Sequence, residues 1–340
     1  MTTKLYPNDY FGDKTQYDFE KDKEVEKKWI IEEIIKPELP NIIDNVEKCI
    51  EMLNANQVFK MPISSGGNDT SDKPSIKGVI TRQAGYILDF QVILRFPEFH
   101  KGKQVVYRMN SGSKFSLKQI HTLNDNLQAL LVLLEELEMV KDTAKFNTKL
   151  EQGLTYLTKS INLLQNPSKE LSFPGNNNLA MKEMFQDYQT LCESNSHLVS
   201  LELMLFKNEI SIEFRNLLKV MKKPWNEIDP DTGKSITDQI KDKLKSDRGL
   251  NLANVLKDFG IQIEEPSIFN NIMMSTFNTE RTTLVQAQNY LNRCVTFDNK
   301  VVMECEKLVV TTSDPSLISL CSKLNSLENS IGNHYSNLTS

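Results

Sequence analysis

The stretch Leu123-Asn-Asp-Asn-Leu-Gln-Ala-Leu-Leu-Val-Leu-Leu-Glu-Glu-Leu137 decides how this chain folds. Leucines recur in it at steps of four and three, at positions 123, 127, 130, 134 and 137. This spacing lines one face of an α-helix and is typical of a leucine zipper, although the run is shorter than the roughly three to four heptads of a coiled coil. Two interpretations stay open: the seam packs inside an intramolecular helical bundle, which nearby amphipathic helices favour, or it pairs two copies of the chain.

Three other segments share the helical period. The first runs from Asp18 to Asn56, and because a proline inside a helix loses a hydrogen bond and clashes with the preceding turn, Pro37 and Pro40 predict a kink or break there. A second helix follows the seam so closely that the two should form an antiparallel hairpin. A last helix begins at Asp314-Pro315. The apolar positions of these two later helices are Phe146, Leu150, Leu154, Leu157, Ile161 and Leu164, and Leu317, Leu320, Leu324, Leu327 and Ile331.

Other segments show the two-residue period of strands. Between Leu88 and Phe96 every second residue is apolar, which predicts a strand with one buried face. Its predicted neighbours are Ile76–Thr81 and Val105–Met109. Two β-hairpins are predicted further on, because Asn tolerates the left-handed conformation that a tight turn needs. Their strands are Leu198–Phe206 with Glu209–Leu217, and Cys294–Phe297 with Val301–Val310.

Composition narrows the class of protein. The chain has 340 residues and a formal net charge of -5, without a basic segment that would indicate nucleic-acid binding. The polar start lacks the apolar core of a secretory signal, and the longest apolar run is too short to span a bilayer. Five widely spaced cysteines, an odd number, predict reduced thiols in the cytosol. We therefore expect a cytoplasmic protein that reaches membranes only through partners.

The sequence contains no complete motif of a catalytic, phosphate-binding or metal-binding site. Asp229-Pro-Asp-Thr-Gly-Lys-Ser235 ends like a phosphate-binding loop, but Ile228 stands where the leading glycine belongs, so we interpret it as a surface turn. The histidines His100, His121, His197 and His334 are scattered without ligand spacing. We predict no catalytic residue, cofactor or metal. Because active sites can assemble from distant residues, an enzyme stays a third possibility behind a binding or structural protein.

The segment 222–290 separates the two predicted hairpins and lacks the strand period. It is interpreted as an insertion with helices, about Leu250–Phe259 and Ile268–Tyr290. It carries more apolar bulk than a solvated insertion needs. Those side chains either dock the insertion onto the sheet or form a recognition surface for a partner. The candidate partner-binding residues are Trp225, Phe269, Met273 and Phe277, accompanied by Ile268 and Met274.

An ordered set of short segments resembles the Rogdi family, also called the leucine-zipper-homologue family. Glu26-Lys-Lys-Trp-Ile-Ile-Glu-Glu33 resembles its opening acidic helix, and Val58-Phe-Lys-Met-Pro62 resembles the exit from that helix. The arm before residue 22 and the insertion depart from the pattern. The remaining matches are Ile76-Lys-Gly-Val-Ile80 as the first strand, Phe115-Ser-Leu-Lys-Gln-Ile120 before the zipper helix, Leu171-Ser-Phe-Pro174 after the second helix, and Val302-Met-Glu-Cys305 before the last helix.

The resemblance implies an α+β fold in which an antiparallel four-helix bundle lobe and a separate antiparallel β-sheet lobe interleave in sequence. It also implies a scaffold of the RAVE complex, the regulator of the vacuolar and endosomal ATPase. The implied partners are a large propeller-containing subunit, a Skp-type adaptor and the catalytic sector of the vacuolar proton ATPase. The expected ranges are 1–21 for a loose arm, 22–60, 114–168 and 312–334 for the bundle, 75–110, 190–221 and 291–311 for the β lobe, and 222–290 for the insertion.

Overall fold

The chain folds into two compact units that interleave along the sequence. A computed structural model describes residues 19–65, 73–247, 249–264 and 282–339. The first unit holds the described residues up to Ala55, then Lys118–Leu164 and the residues from Pro315 onward. The second holds Asn56–Leu117 and Gln165–Asp314. Helices and antiparallel sheets occur side by side, so the predicted α+β class is confirmed.

Helices build the first unit. They are α1 (Phe19–Trp29), a π-helical turn (Ile30–Ile35), α2 (Lys36–Asn54), α3 (Lys118–Met139), α4 (Thr143–Gln165) and α10 (Pro315–Thr339). All five leucines of the seam lie on α3 and are fully buried inside the chain. A homodimer through the same seam would require these side chains to be uncovered, so the self-associating coiled coil is wrong for this fold. The intramolecular interpretation holds because the partner helices come from the same chain.

Of the kink or break expected at Pro37 and Pro40, the break does not occur. α1, the π-helical turn and α2 follow one another without an interruption, and the two prolines lie in the first turns of α2. Just before them, the Lys36 N–H donates to the carbonyl of Ile31, a bond that spans five residues and not four. This wider turn changes the hydrogen-bond pattern next to the prolines, which lack an N–H donor. A rule based on α-helical hydrogen bonds does not predict such a turn.

The second unit contains a first antiparallel sheet made of β1 (Val58–Ser64), β2 (Ser75–Gln83), β3 (Tyr86–Arg95), β4 (Val105–Arg108) and β5 (Phe115–Ser116). The predicted meander is present in the order β1-β2-β3-β4, and β5 also pairs with β3. Val58–Pro62 was expected to be the exit of a helix, and this is wrong: it pairs with β2 along its whole length. The reason is that Met61 and Ile63 are buried while the residues beside them are exposed, as in a strand with one face on the core.

A β-bulge shifts the predicted buried face of β3. Phe90, Val92 and Leu94 are buried as expected, but Leu88 is only partly buried and Ile87 is buried in its place. The register with β2 moves between Thr81 and Arg82, whose partners are Asp89 and Ile87. The extra residue reverses the alternation at that point, as bulges do.

A second antiparallel sheet joins the two predicted hairpins. Its strands are β6 (His197–Phe206), β7 (Glu209–Lys219), β10 (Cys294–Phe297) and β11 (Lys300–Ser313), in the order β10-β11-β7-β6. Both turns have two residues with positive φ, Lys207-Asn208 and Asp298-Asn299, which confirms the hairpins. The single sheet that we expected is thus two sheets, because alternation identifies a strand's face but not its partner.

Short helices complete the second unit: α5 (Leu179–Met184), α6 (Tyr188–Cys192), α7 (Ile236–Ser246), α8 (Leu252–Asp258) and α9 (Leu284–Arg293). Before α5, the buried Asn178 covers the edge strand β6: its amide donates to the carbonyl of Val199 at 3.2 Å and its oxygen accepts from the N–H of Leu201 at 3.1 Å. A side chain that satisfies an open strand edge prevents unwanted pairing there. Among the described helices, none is long and apolar enough to cross a membrane.

Candidate interaction surfaces

The insertion has its own small core. Trp225 and Ile240 are fully buried there with Leu256. Cys294 and Val301 from the second sheet belong to the same cluster, as does Val220, which directly follows β7. The described part of the insertion is therefore packed onto that sheet through shared apolar side chains. This is the arrangement that the docking interpretation predicts. The expected helix at Leu250–Phe259 appears as α8, whereas α7 was not anticipated.

Trp225 lies at the centre of this core. Its ring stacks on Tyr290, with 4.8 Å between the ring centroids and 17° between the planes. The indole N–H donates to the hydroxyl of Thr282 at 3.4 Å, so its polar group is satisfied without water. Burial raises the pKa of Tyr290 above its ordinary value. With no exposed surface, Trp225 cannot contact a partner in this position and serves to pack the insertion.

The other candidate partner-binding residues, Phe269, Met273 and Phe277, lie outside the described residues, as do Ile268 and Met274. The structure does describe the residues on either side of this segment. β8 (Ile263–Glu264) pairs in parallel with β9 (Thr282–Thr283), so both ends of residues 265–281 are held together. Thr282 also accepts the hydrogen bond from Trp225, which links this anchor to the insertion core.

The glycine-lysine-serine string forms a turn, as predicted. Ile228 and Ser235 bridge its two ends, and Gly233 takes the positive φ of 65° that favours glycine. Ser235 caps α7 with a capping box, in which its side chain accepts from the N–H of Asp238. The Lys234 ammonium lies 2.8 Å from the carboxylate of Asp242, an exposed ion pair. Lys234 and Ser235 of the string thus both have local partners.

A buried charge network, which the sequence analysis missed, ties the strands of the second sheet. Arg215 on β7 pairs with Glu202 on β6, with Glu213 at 2.8 Å and with Glu304 on β11 at 2.9 Å. Burial lowers the pKa of the Arg215 guanidinium, and Glu304 opposes that effect. Arg215 and Glu202 lie in strands whose sequences are mostly apolar. A charged residue inside an apolar run was therefore the only sequence feature that could have indicated the network. The network joins three strands by ion pairs.

Phe173 covers this network. Its ring lies 4.9 Å from the guanidinium carbon of Arg215, and its backbone N–H donates to Glu202 at 3.1 Å. The Leu171–Pro174 segment, noted above for its resemblance, therefore packs on the buried part of the network, Arg215 and Glu202. In the described part of the chain, no cluster of His, Cys, Asp and Glu has an arrangement that could hold a metal ion.

The cysteines are free thiols, and only Cys305 is partly exposed. Burial raises the pKa of Cys49 to about 11 and those of Cys192 and Cys294 to about 12. A thiol with such a high pKa carries little of the reactive thiolate at neutral pH. These side chains behave as small apolar core residues.

The leucine helix buried within its own unit, the two antiparallel sheets and the docked insertion define an α+β protein. The chain belongs to the Rogdi leucine-zipper family, whose model matches residues 26–339. It is also similar to "Regulator of V-ATPase in vacuolar membrane protein 2" of Saccharomyces cerevisiae. The two are 50% identical over 342 residues, which cover 99% of this chain and 97% of the relative.

Proposed function

We propose that this chain is a non-enzymatic subunit of a RAVE-type complex that regulates the vacuolar proton ATPase by promoting the return of its catalytic sector to its membrane sector. The observation that carries the proposal is the 50% identity to a V-ATPase regulator over 99% of this chain. Similarity along nearly the whole length favours a shared role over a shared module. The chain would work in the cytoplasm and be recruited to vacuolar or endosomal membranes by its partners.

The mechanism that we propose is positional. A folded body that binds two partners at once turns their second encounter into an intramolecular one and so raises their effective concentration. The partners are the large propeller-containing subunit, the Skp-type adaptor and the catalytic sector. The first unit supplies a rigid element, because we propose that its helices pack as an antiparallel four-helix bundle. Full burial of Leu123, Leu130 and Leu137 supports such a bundle.

We place one partner contact on residues 265–281. Phe269, Met273 and Phe277 supply the aromatic and adaptable side chains that dominate many interfaces. Support comes from the described residues on either side of the segment: β8 and β9 pair with each other, and Ile263 of β8 packs against the insertion core. A segment presented from a fixed base loses less conformational entropy on binding than a free one.

A double substitution, Phe269→Ser with Phe277→Ser, tests this contact. We expect the thermal unfolding curve to stay in place and the large partner and the ATPase catalytic sector to be lost from affinity purifications. Trp225→Ala is the matched control inside the insertion core, and it should lower the melting temperature because its ring is fully buried. If the double variant melts many degrees lower, the segment is core. If it keeps both its stability and its partners, this contact does not exist.

A further inference from the structure

The outer face of the N-terminal helix exposes three large apolar side chains. Val25 and Trp29 on α1 are 62% and 56% exposed, and Ile34 in the π-helical turn is 39% exposed. These three residues are called the Trp29 stripe below. Single exposed apolar residues are ordinary, but a row of them on one helix indicates a contact surface.

The π-helical turn creates the row. Val25 and Trp29 are four residues apart and share a face of the α-helix. Ile34 is five residues further, a step that would leave this face in an α-helix. In the π-helical turn the hydrogen bonds span five residues, as from Lys36 to Ile31, so one turn takes an extra residue. Ile34 therefore stays beside Trp29, while Ile31 and Ile35 are buried.

Most of this part of the helix is exposed, and only Lys23, Lys27 and Ile30 are partly buried. No side chain from Lys21 to Ile30 is buried, in contrast to α2, where five residues are. The helix is held in the first unit by the buried face of α2, so its N-terminal part keeps an apolar surface in contact with water. Such a surface gains free energy when a partner packs against it.

The charged residues three and four positions from Trp29 are all acidic, while Lys21 and Lys28 flank Val25. Glu26 and Glu33 are exposed three and four residues from Trp29, and neither forms an ion pair with any described residue. Glu32, also three residues from Trp29, is paired with Lys36 at 2.8 Å. An arginine or lysine of a partner placed there would meet two carboxylates and the face of an indole ring, which attracts cations.

We propose that the Trp29 stripe is a docking surface for an amphipathic helix of another protein, whose aliphatic side chains cover Val25 and Ile34 and whose Arg or Lys lies over Trp29. The surface belongs to the first unit and is separate from the contact proposed for the insertion in the second. It does not depend on the proposed ATPase role, since it follows from exposure and charge alone.

Site-specific photo-crosslinking in cells tests the proposal. A photoreactive benzoyl-phenylalanine replaces Val25 in the full chain, and the same group replaces Val132, 53% exposed on α3, in the control. We expect the group at position 25 to capture one partner segment that is amphipathic and carries Arg or Lys, and the control not to capture it. Capture of residues 1–18 of this chain, capture of a second copy or no specific capture would each overturn the proposal.

The captured segment, made as a synthetic peptide, is then titrated against the purified chain. Trp29→Ala should weaken binding by about tenfold or more, as expected for a tryptophan at the centre of an interface. Glu26→Lys with Glu33→Lys should weaken it as well, by charge repulsion, and Val132→Ala should not. Residues 29 and 132 are both exposed, so neither substitution disturbs the core. Equal affinity of the peptide for the wild-type chain and for Trp29→Ala would therefore refute the proposed docking surface.

Discussion

A single buried ion pair fixes the end of β11. Arg82 and Asp314 are 1% and 0% exposed, and Nε of Arg82 lies 2.5 Å from a carboxylate oxygen of Asp314. The guanidinium also donates to the carbonyl of Ala84 and lies 5.0 Å from the centre of the Phe59 ring. Asp314 directly precedes Pro315, where α10 begins. The pair therefore links β2 to the residue between the end of β11 and the start of α10.

Arg82→Ala should lower the free energy of unfolding by about 3–5 kcal/mol, because it removes one charge of a buried ion pair. Urea unfolding of the purified chain measures this difference. The control is Lys48→Ala, which removes a surface ion pair with Asp44 and should leave the unfolding curve nearly unchanged. Equal unfolding midpoints for Arg82→Ala and the wild-type chain would mean that the pair is dispensable.

Sequence could not reveal this pair. The two residues are 232 positions apart, and neither belongs to a motif. The same holds for Trp225, whose neighbours Tyr290 and Thr282 come from the other end of the insertion. Apolar character indicated that Trp225 would be covered, but not whether this chain or a partner would cover it.

At the scale of elements, α3 offers the sharpest contrast between buried and exposed positions. Leu134 is fully buried, while Val132, two residues earlier, is 53% exposed. Two residues apart on a helix point in different directions, so the pair compares core with surface inside one element. A substitution at Val132 is therefore a control, within the same helix, for a substitution at Leu134 that tests whether the leucine seam packs inside the chain.

Leu134→Ala should cost about 2–5 kcal/mol of unfolding free energy, since it leaves a cavity in a packed core. Val132→Ala should change that energy by less than about 0.5 kcal/mol, as most surface substitutions do. Chemical denaturation of both variants at several protein concentrations gives the two values. Small and equal effects, or a midpoint that depends on concentration, would place the seam at a surface between copies.

Elements with a strong period could be predicted from sequence. The leucine helix, its neighbour and both hairpins were identified, because period and turn residues are local properties. β1 was taken for the exit of a helix, since five residues from Val58 are too few to establish an alternation. The π-helical turn and the bulge in β3 depend on one residue each, which no periodic pattern resolves. Pairing of strands into two sheets depends on distant partners.

At the scale of the whole molecule, the interleaved chain is the feature that matters most. Both units are built from separate stretches, so neither can be formed by one continuous part of the sequence. The α+β class was accessible because helical and strand periods alternate along the chain. Of the two candidate contact surfaces, the insertion could be located from sequence by its apolar bulk. The Trp29 stripe could not, because it depends on which side of a helix stays exposed.

The most direct test of the account is the amount of ATPase catalytic sector on vacuolar membranes. In Saccharomyces cerevisiae cells that lack the 50% identical relative, we would express this chain, the relative or neither, and isolate vacuoles. The account predicts that this chain raises the membrane-bound catalytic sector toward the level given by the relative. If the folded chain accumulates to the same level as the relative and the bound sector stays at the level of cells with neither, the proposed function is wrong.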